Sequence, residues 1–123
     1  MAVAKAFRDL VVWQKAMDVS VAIYRITEAF PKEEVYGLTS QMRRAAVSIA
    51  SNIAEGAGRS SKKDFCHFVA MAKGSSFELQ TQIVLAQRLG YLEATESSQV
   101  EEQVIEVGKM LSGLAAFLQK SNN

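Results

Sequence analysis

An all-α fold, an antiparallel up-down-up-down four-helix bundle, is what this sequence predicts, and three observations predict it. Apolar residues recur at three- and four-residue steps through four long segments; no segment shows sustained period-2 alternation. Proline occurs once, at Pro31. Three turn clusters, FPKEEVYG near 30–37, EGAGRSS near 55–61 and GYLEAT near 90–95, divide the rest, so the connections are too short for anything but antiparallel neighbours. The whole chain, 1–123, reads as one domain.

The first helix is expected over about 10–30, with Asp9 as its N-cap and Pro31 as its stop. Its core stripe is Val12, Ala16, Val19, Ile23, Ile26 and Phe30. The second, about 38–55, presents Leu38, Met42, Ala45, Ile49 and Ile53 and ends in Gly56-Ala57-Gly58. The third, about 61–89, starts after Ser60-Ser61, presents Phe65, Phe68, Ala72, Leu79, Ile83 and Ala86, and stops at Gly90. The fourth, about 96–119, presents Val100, Val104, Val107, Leu111, Leu114 and Leu118. Glycine inside a helix costs about 1 kcal/mol relative to alanine. The interior positions of Gly74, Gly108 and Gly113 therefore suggest a close backbone approach between the third and fourth helices, or a hinge.

At 123 residues and 49% hydrophobic composition the chain can bury a sizeable core without disulfides or a structural metal. A single cysteine excludes a disulfide framework and points to a reducing, cytoplasmic setting; a single histidine removes most metal sites. No apolar run approaches the roughly 20 residues that span a bilayer, and the start carries no signal-peptide pattern. Cys66 and His67 are adjacent, so on a helix their side chains diverge by about 100° and do not form a nucleophile pair. Gly56-Ala57-Gly58 lacks the Lys-Ser/Thr of a phosphate loop. We expect no enzyme, no cofactor, no metal, no small-molecule substrate and no membrane partner.

Two helices carry more apolar surface than one core stripe needs. Cys66, Ala70, Phe77, Thr81 and Val84 form a second band behind the first on the third helix. Trp13, Met17 and Tyr24 widen the arc on the first helix, and Phe117 lies off the stripe of the fourth. Exposed apolar area of this extent points to a homo-oligomer; splayed helix ends within one chain are the alternative.

A polar edge runs along the second helix through Gln41, Arg44, Ser48, Ser51 and Glu55, with Asn52 beside it. It is either a solvated or hydrogen-bonded seam with Ser75, Glu78 and Gln82 of the third helix, or a surface for a ligand or partner. Net charge is only +1, yet residues 1–63 hold ten Lys+Arg against six Asp+Glu, and residues 64–123 hold four against seven. Arg43, Arg44, Arg59, Lys62 and Lys63 gather around the second helix and the loop after it. They suit either phosphate backbones of RNA or DNA, or the acids Glu96, Glu101, Glu102 and Glu106 of the fourth helix in a neighbouring subunit.

Three segments, FRDLVVWQKA (7–16), FPKEEVYGLTSQMRRAAVSIASNIAEGAGRSSKKDF (30–65) and AKGSSFELQTQIVLAQRLGYL (72–92), resemble the small bacterial proteins encoded within intervening sequences of 23S rRNA genes. The resemblance implies a cytosolic, left-handed antiparallel bundle assembled as a homopentameric barrel. It also implies kinship in fold with the accessory variability protein of diversity-generating retroelements, which binds nucleic acid and a reverse transcriptase through a basic surface. Residues matching the family pattern are Arg43, Arg44, Ser51, Asn52, Glu55, Gly56, Gly58, Ser75 and Glu78, which become candidate interface or binding positions. Ala50 stands where the family often has proline, so the second helix is expected to be straighter.

Overall fold

The structure, a computed structural model, describes residues 7–120. It contains four long helices, α1 (Val11–Thr27), α2 (Leu38–Ala57), α3 (Lys62–Arg88) and α4 (Ala94–Lys120), and a short 3-10 turn over Lys32–Glu34 between α1 and α2. The all-helical class expected from the sequence holds, with no strand among the described residues. Each long helix packs on the next in the chain and α4 returns to α1, while the backbones of α1 and α3, and of α2 and α4, stay more than 8 Å apart, Cα to Cα.

The start of α1 differs from expectation. Residues 7–9 form a helical turn of their own, Leu10 is extended and stands at the N-cap position, and no side chain caps the helix, so Asp9 does not have that role. Gln14 instead reaches back and donates Nε2 to the carbonyl of Arg8 at 2.8 Å. The helix also ends at Thr27, three residues before the predicted Phe30. Proline disfavours helical geometry in the residue before it, and the chain adapts by tightening. Glu28 and Phe30 donate to carbonyls three residues back, at Arg25 and Thr27.

α2 begins where the sequence places it and runs through Ala57, two residues past the predicted end. All five expected core residues are buried, and Thr39, Ala46, Ala50 and Gly56 are buried beside them. This helix is covered on two sides, by α1 and α3, so its buried arc is wider than one stripe. α3 is capped by Ser61, whose Oγ accepts from the Asp64 amide at 3.0 Å. Its buried stripe is Val69, Ala72, Ser76, Leu79, Gln82, Ile83 and Ala86; Phe65 and Phe68, expected in the core, are only half-buried. α3 ends at Gly90, whose φ of +81° only glycine adopts freely. Gly90 N–H bonds to Gln87 O and Tyr91 N–H to Ala86 O, the paired bonds of a Schellman stop. On α4 every expected core residue is buried except half-buried Leu114; on α1 the half-buried exception is Ile26.

The glycines act otherwise than expected. A Cβ on Gly74 or Gly113 would meet nothing within 4 Å, and one on Gly108 would make only ordinary contact with Ser76 Oγ at 3.6 Å. Close approach falls instead at buried Gly56, where a Cβ would lie 2.7 Å from Phe68 Cβ and 2.9 Å from Phe65 Cδ1. The tight seam is therefore between α2 and α3.

The two connections at one end of the molecule are tied together. Tyr91 donates its hydroxyl to Glu34 Oε2 at 2.8 Å, while Glu34 Oε1 accepts the Leu38 amide at 3.0 Å and thereby caps α2. The Phe30 and Tyr91 rings lie 5.4 Å apart, centroid to centroid. The Leu38 amide, and then the Tyr91 hydroxyl, hold the Glu34 carboxyl below its ordinary range, and the same carboxylate holds the Tyr91 phenol above its own.

Two predictions follow from this packing. Gly56→Ala trades a gain of about 1 kcal/mol in helix propensity for an overpacking cost of roughly 1–3 kcal/mol, so Tm falls by several degrees. Gly74→Ala and Gly113→Ala, with open space around the new methyl, raise Tm; calorimetry that gave all three the same sign would contradict the seam. For the clasp, a depressed carboxyl contributes stability that is present above its unfolded pKa and lost as pH falls through its folded pKa. Urea midpoints of the wild type therefore drop on the acid limb more than those of Glu34→Gln. The raised phenol gives the mirror case, in which stability is lost as pH rises through the folded pKa, and Tyr91→Phe removes that alkaline loss.

Candidate functional site

The polar edge of α2 is partly a seam. Ser48 Oγ and Ser75 Oγ share a hydrogen bond of 2.9 Å across the α2–α3 contact, and Asn52 Nδ2 donates to Ser48 O at 2.9 Å and to Ser48 Oγ at 3.0 Å. Gln82 lies buried in α3 and donates to Glu78 Oε2 at 3.5 Å, with its own Oε1 lacking a partner. Gln41, Ser51, Glu55 and Glu78 remain exposed.

The five basic residues do not form one patch within the chain. Arg43 and Arg44 lie one turn into α2, beside the end of α1; Arg59, Lys62 and Lys63 lie past its other end, about 20 Å away along the axis. The two groups also differ in their partners. Arg43 is half-buried and held by neutral acceptors, donating Nε to Thr27 Oγ1 at 2.9 Å and Nη2 to Tyr24 O at 3.3 Å, with its guanidinium 4.5 Å from the centroid of the Tyr24 ring. Thr27 Oγ1 in turn donates to Ile23 O at 2.7 Å, so the acceptor is fixed by the helix that carries it. Arg44 is exposed and donates to Ser40 Oγ at 3.3 Å.

Arg59, by contrast, pairs with Glu55 at 2.8 Å and covers the Phe68 ring at 4.8 Å. Lys62 and Lys63 are exposed at the start of α3, where a helix N-terminus disfavours positive charge. Glu106 of acidic α4 pairs with Lys15 of α1 at 3.9 Å, a contact within the chain that differs from the expected pairing of α4 with Arg43, Arg44, Arg59, Lys62 and Lys63 of a neighbouring subunit.

Where the outer sides of α1 and α2 meet lies a groove of about 520 Å³ lined by Tyr24, Val35, Thr39, Ser40, Arg43, Arg44, Val47, Ser48 and Ser51. An apolar groove of about 310 Å³ continues along the same helices past Trp13, Met17, Val47 and Ala54. On the opposite side, Phe77 and Ile105 flank a groove of about 420 Å³ between α3 and α4, with Lys73 and Lys109 at its edges. Of the expected assembly residues, Phe77 and Phe117 are 55% and 66% exposed, Met17 and Tyr24 are exposed, and Trp13, Cys66 and Val84 are half-buried. Sequence reasoning missed Ser40, Thr39, Val35 and Val47 as groove residues. Ser40 and Val47 share an outward arc with Arg44 at steps of four and three, a spacing that was visible, whereas Val35 precedes α2 and Thr39 is buried, so their place at the groove was not.

Among the described residues no group of three or more His, Cys, Asp or Glu is placed to hold a metal ion, and no helix is long and apolar enough to cross a membrane.

No curated protein matches the chain. Among solved structures it is similar to a protein of unknown function from the S23 ribosomal protein family of Bacteroides thetaiotaomicron, with 21% identity and a TM-score of 0.80 over 86% of this chain and 96% of that one. At that identity the likeness shows the fold. The family model described as 23S rRNA-intervening sequence protein matches residues 8–113, most of the chain, and on that match the chain belongs to the 23S rRNA-intervening sequence protein family.

Proposed function

We propose that this protein is a non-enzymatic, homo-oligomeric accessory component of a cytoplasmic nucleic-acid or ribonucleoprotein assembly. Its unit is a left-handed, antiparallel up-down-up-down four-helix bundle, repeated in roughly five copies around a closed ring. The observation that carries this reading is apolar exposure on two different sides. Met17, Val21 and Val47 stand out on α1 and α2, and Phe77, Ile105 and Phe117 stand out on α3 and α4. Two unlike faces on one chain suit a head-to-tail contact, which closes into a ring when the rotation per copy allows it.

Support for the bundle topology comes from the contacts between neighbouring helices and from the Tyr91–Glu34 bond, which puts the first and third connections at one end. Support for a nucleic-acid partner comes from the family description, tied to 23S rRNA, and from the arginines of α2, which repetition around a ring would multiply.

A second reading is a protein scaffold whose charged surfaces serve subunit assembly alone. It is favoured by the intrachain duties of Arg43 and Arg59, which already have partners.

Light scattering on the purified protein separates these, run at about 50 mM and about 200 mM salt with and without mixed RNA. The expected particle holds roughly five subunits, gains mass with RNA, and gains less at the higher salt. Phe77→Glu lowers the subunit number. A particle indifferent to RNA favours the scaffold, and a wild-type monomer overturns both.

A further inference from the structure

The groove between the outer sides of α1 and α2 has a chemistry that its place in a helical bundle does not require. Two arginines, Arg43 and Arg44, line it, Arg43 turned toward the end of α1 and Arg44 toward Ser40, and none of its lining residues is acidic. Arg59 is ion-paired with Glu55 and Lys15 with Glu106, whereas neither groove arginine has a described carboxylate within 4.0 Å. Both are held by neutral oxygens instead, Arg43 by Thr27 Oγ1 and Tyr24 O and Arg44 by Ser40 Oγ. Those bonds orient the Arg43 guanidinium without neutralising its charge, while Arg44 stays exposed. Arg43 spends Nε and one proton of Nη2 on them, which leaves Nη1 for a further acceptor.

The aromatic ring at this site is equally particular. Tyr24 carries the Arg43 guanidinium at 4.5 Å yet is 46% exposed and lines the same groove. A planar group stacked on the ring's other face would therefore lie near Arg43, held by two hydrogen bonds, and near exposed Arg44, neither of them ion-paired. Val35 and Val47 supply apolar wall, and the hydroxyls of Ser40 and Ser51 a polar rim. Guanidinium groups bind phosphate oxygens through paired hydrogen bonds, and an aromatic ring beside a positive groove stacks bases without regard to sequence. The far end of α2 lacks this combination, because Arg59 is occupied by Glu55 and Phe68.

We propose that the α1–α2 groove is a nucleotide-binding site, in which Arg43 and Arg44 hold a phosphate and Tyr24 stacks a base. The inference rests on the nucleic-acid reading above and locates it, at one end of α2 and not along the whole of it. One nucleotide of a single strand and a free nucleotide offer the same chemistry, and the test distinguishes them.

Fluorescence anisotropy with a labelled, unstructured oligouridylate measures strand binding across a salt series, and competition by UMP and by inorganic phosphate measures the free ligands. The proteins compared are the wild type, Arg44→Gln, Tyr24→Leu and, as the far-end control, Lys63→Gln, each shown by thermal melting to be folded. Arg44→Gln is expected to weaken strand binding about tenfold and to reduce the log–log salt slope by about 0.7, one phosphate contact on a single strand. Tyr24→Leu is expected to weaken it roughly 5- to 150-fold, the loss of one base stack, with little change in slope. Lys63→Gln leaves both unchanged.

Strand binding that ignores Arg44→Gln and Tyr24→Leu but falls with Lys63→Gln overturns the site and leaves the nucleic-acid reading standing. UMP binding that needs Arg44 and Tyr24, with no strand binding, sustains the site and removes the nucleic-acid reading. Inorganic phosphate competing as well as UMP overturns the stacking role of Tyr24. Absence of binding by strand and nucleotide alike overturns the site.

Discussion

The close approach of α2 and α3 at Gly56 is the constraint on which much of this architecture depends. With no side chain at that position, Phe65 and Phe68 lie directly over the α2 backbone, and the two helices stay near enough along their length for Ser48 and Ser75 to share a hydrogen bond. A side chain there would collide with Phe68 Cβ, an atom fixed to its own backbone, so relief would require moving a helix. The same approach explains why two phenylalanines of α3 are half-buried: they spend one face on Gly56 and leave the other for neighbours such as Arg59.

That arrangement makes the two ends of α2 chemically unlike. At the Gly56 end, chain reversal brings Arg59 back over Glu55 and Phe68, and its charge is compensated within one helical turn. At the Leu38 end the helix stands beside the last turn of α1, which offers carbonyl and hydroxyl oxygens but no carboxylate to Arg43. Helix C-termini favour positive charge through their unsatisfied carbonyls, so Arg43 is stabilised there while keeping its formal charge available. The Glu34–Tyr91 clasp ties the two connections together at this same end.

The exposed Phe77 and Ile105 on α3 and α4 lie away from the arginine groove, whereas the apolar groove past Trp13 and Met17 adjoins it at Val47, which lines both. A ring built on those surfaces would repeat the groove around the particle, and repeated weak phosphate sites gain avidity without any change in the individual site.

Much of the fold was legible in the sequence, because helical periodicity records burial directly. The stripes Leu38-Met42-Ala45-Ile49-Ile53 and Val100-Val104-Val107-Leu111 are buried as the spacing requires, and Gly90 stops α3 for a backbone reason that needs no tertiary context, whereas α1 ends at Thr27, ahead of the stop that Pro31 marks. The functional surface was less legible. Five basic residues close in sequence read as one cluster, yet a helix separates positions 44 and 59 by about 20 Å, and the partners that distinguish them come from α1 in one case and α3 in the other. Glycine presented the same difficulty, since Gly56, Gly74 and Gly113 look alike as letters and only the neighbouring helix decides which one has no room for a methyl group. Local sequence determined the helices, their stops and their inward faces, which depend on each helix's own period and backbone. The pairing of faces decided which arginines stay uncompensated and where Tyr24 lies, because those depend on side chains many residues away.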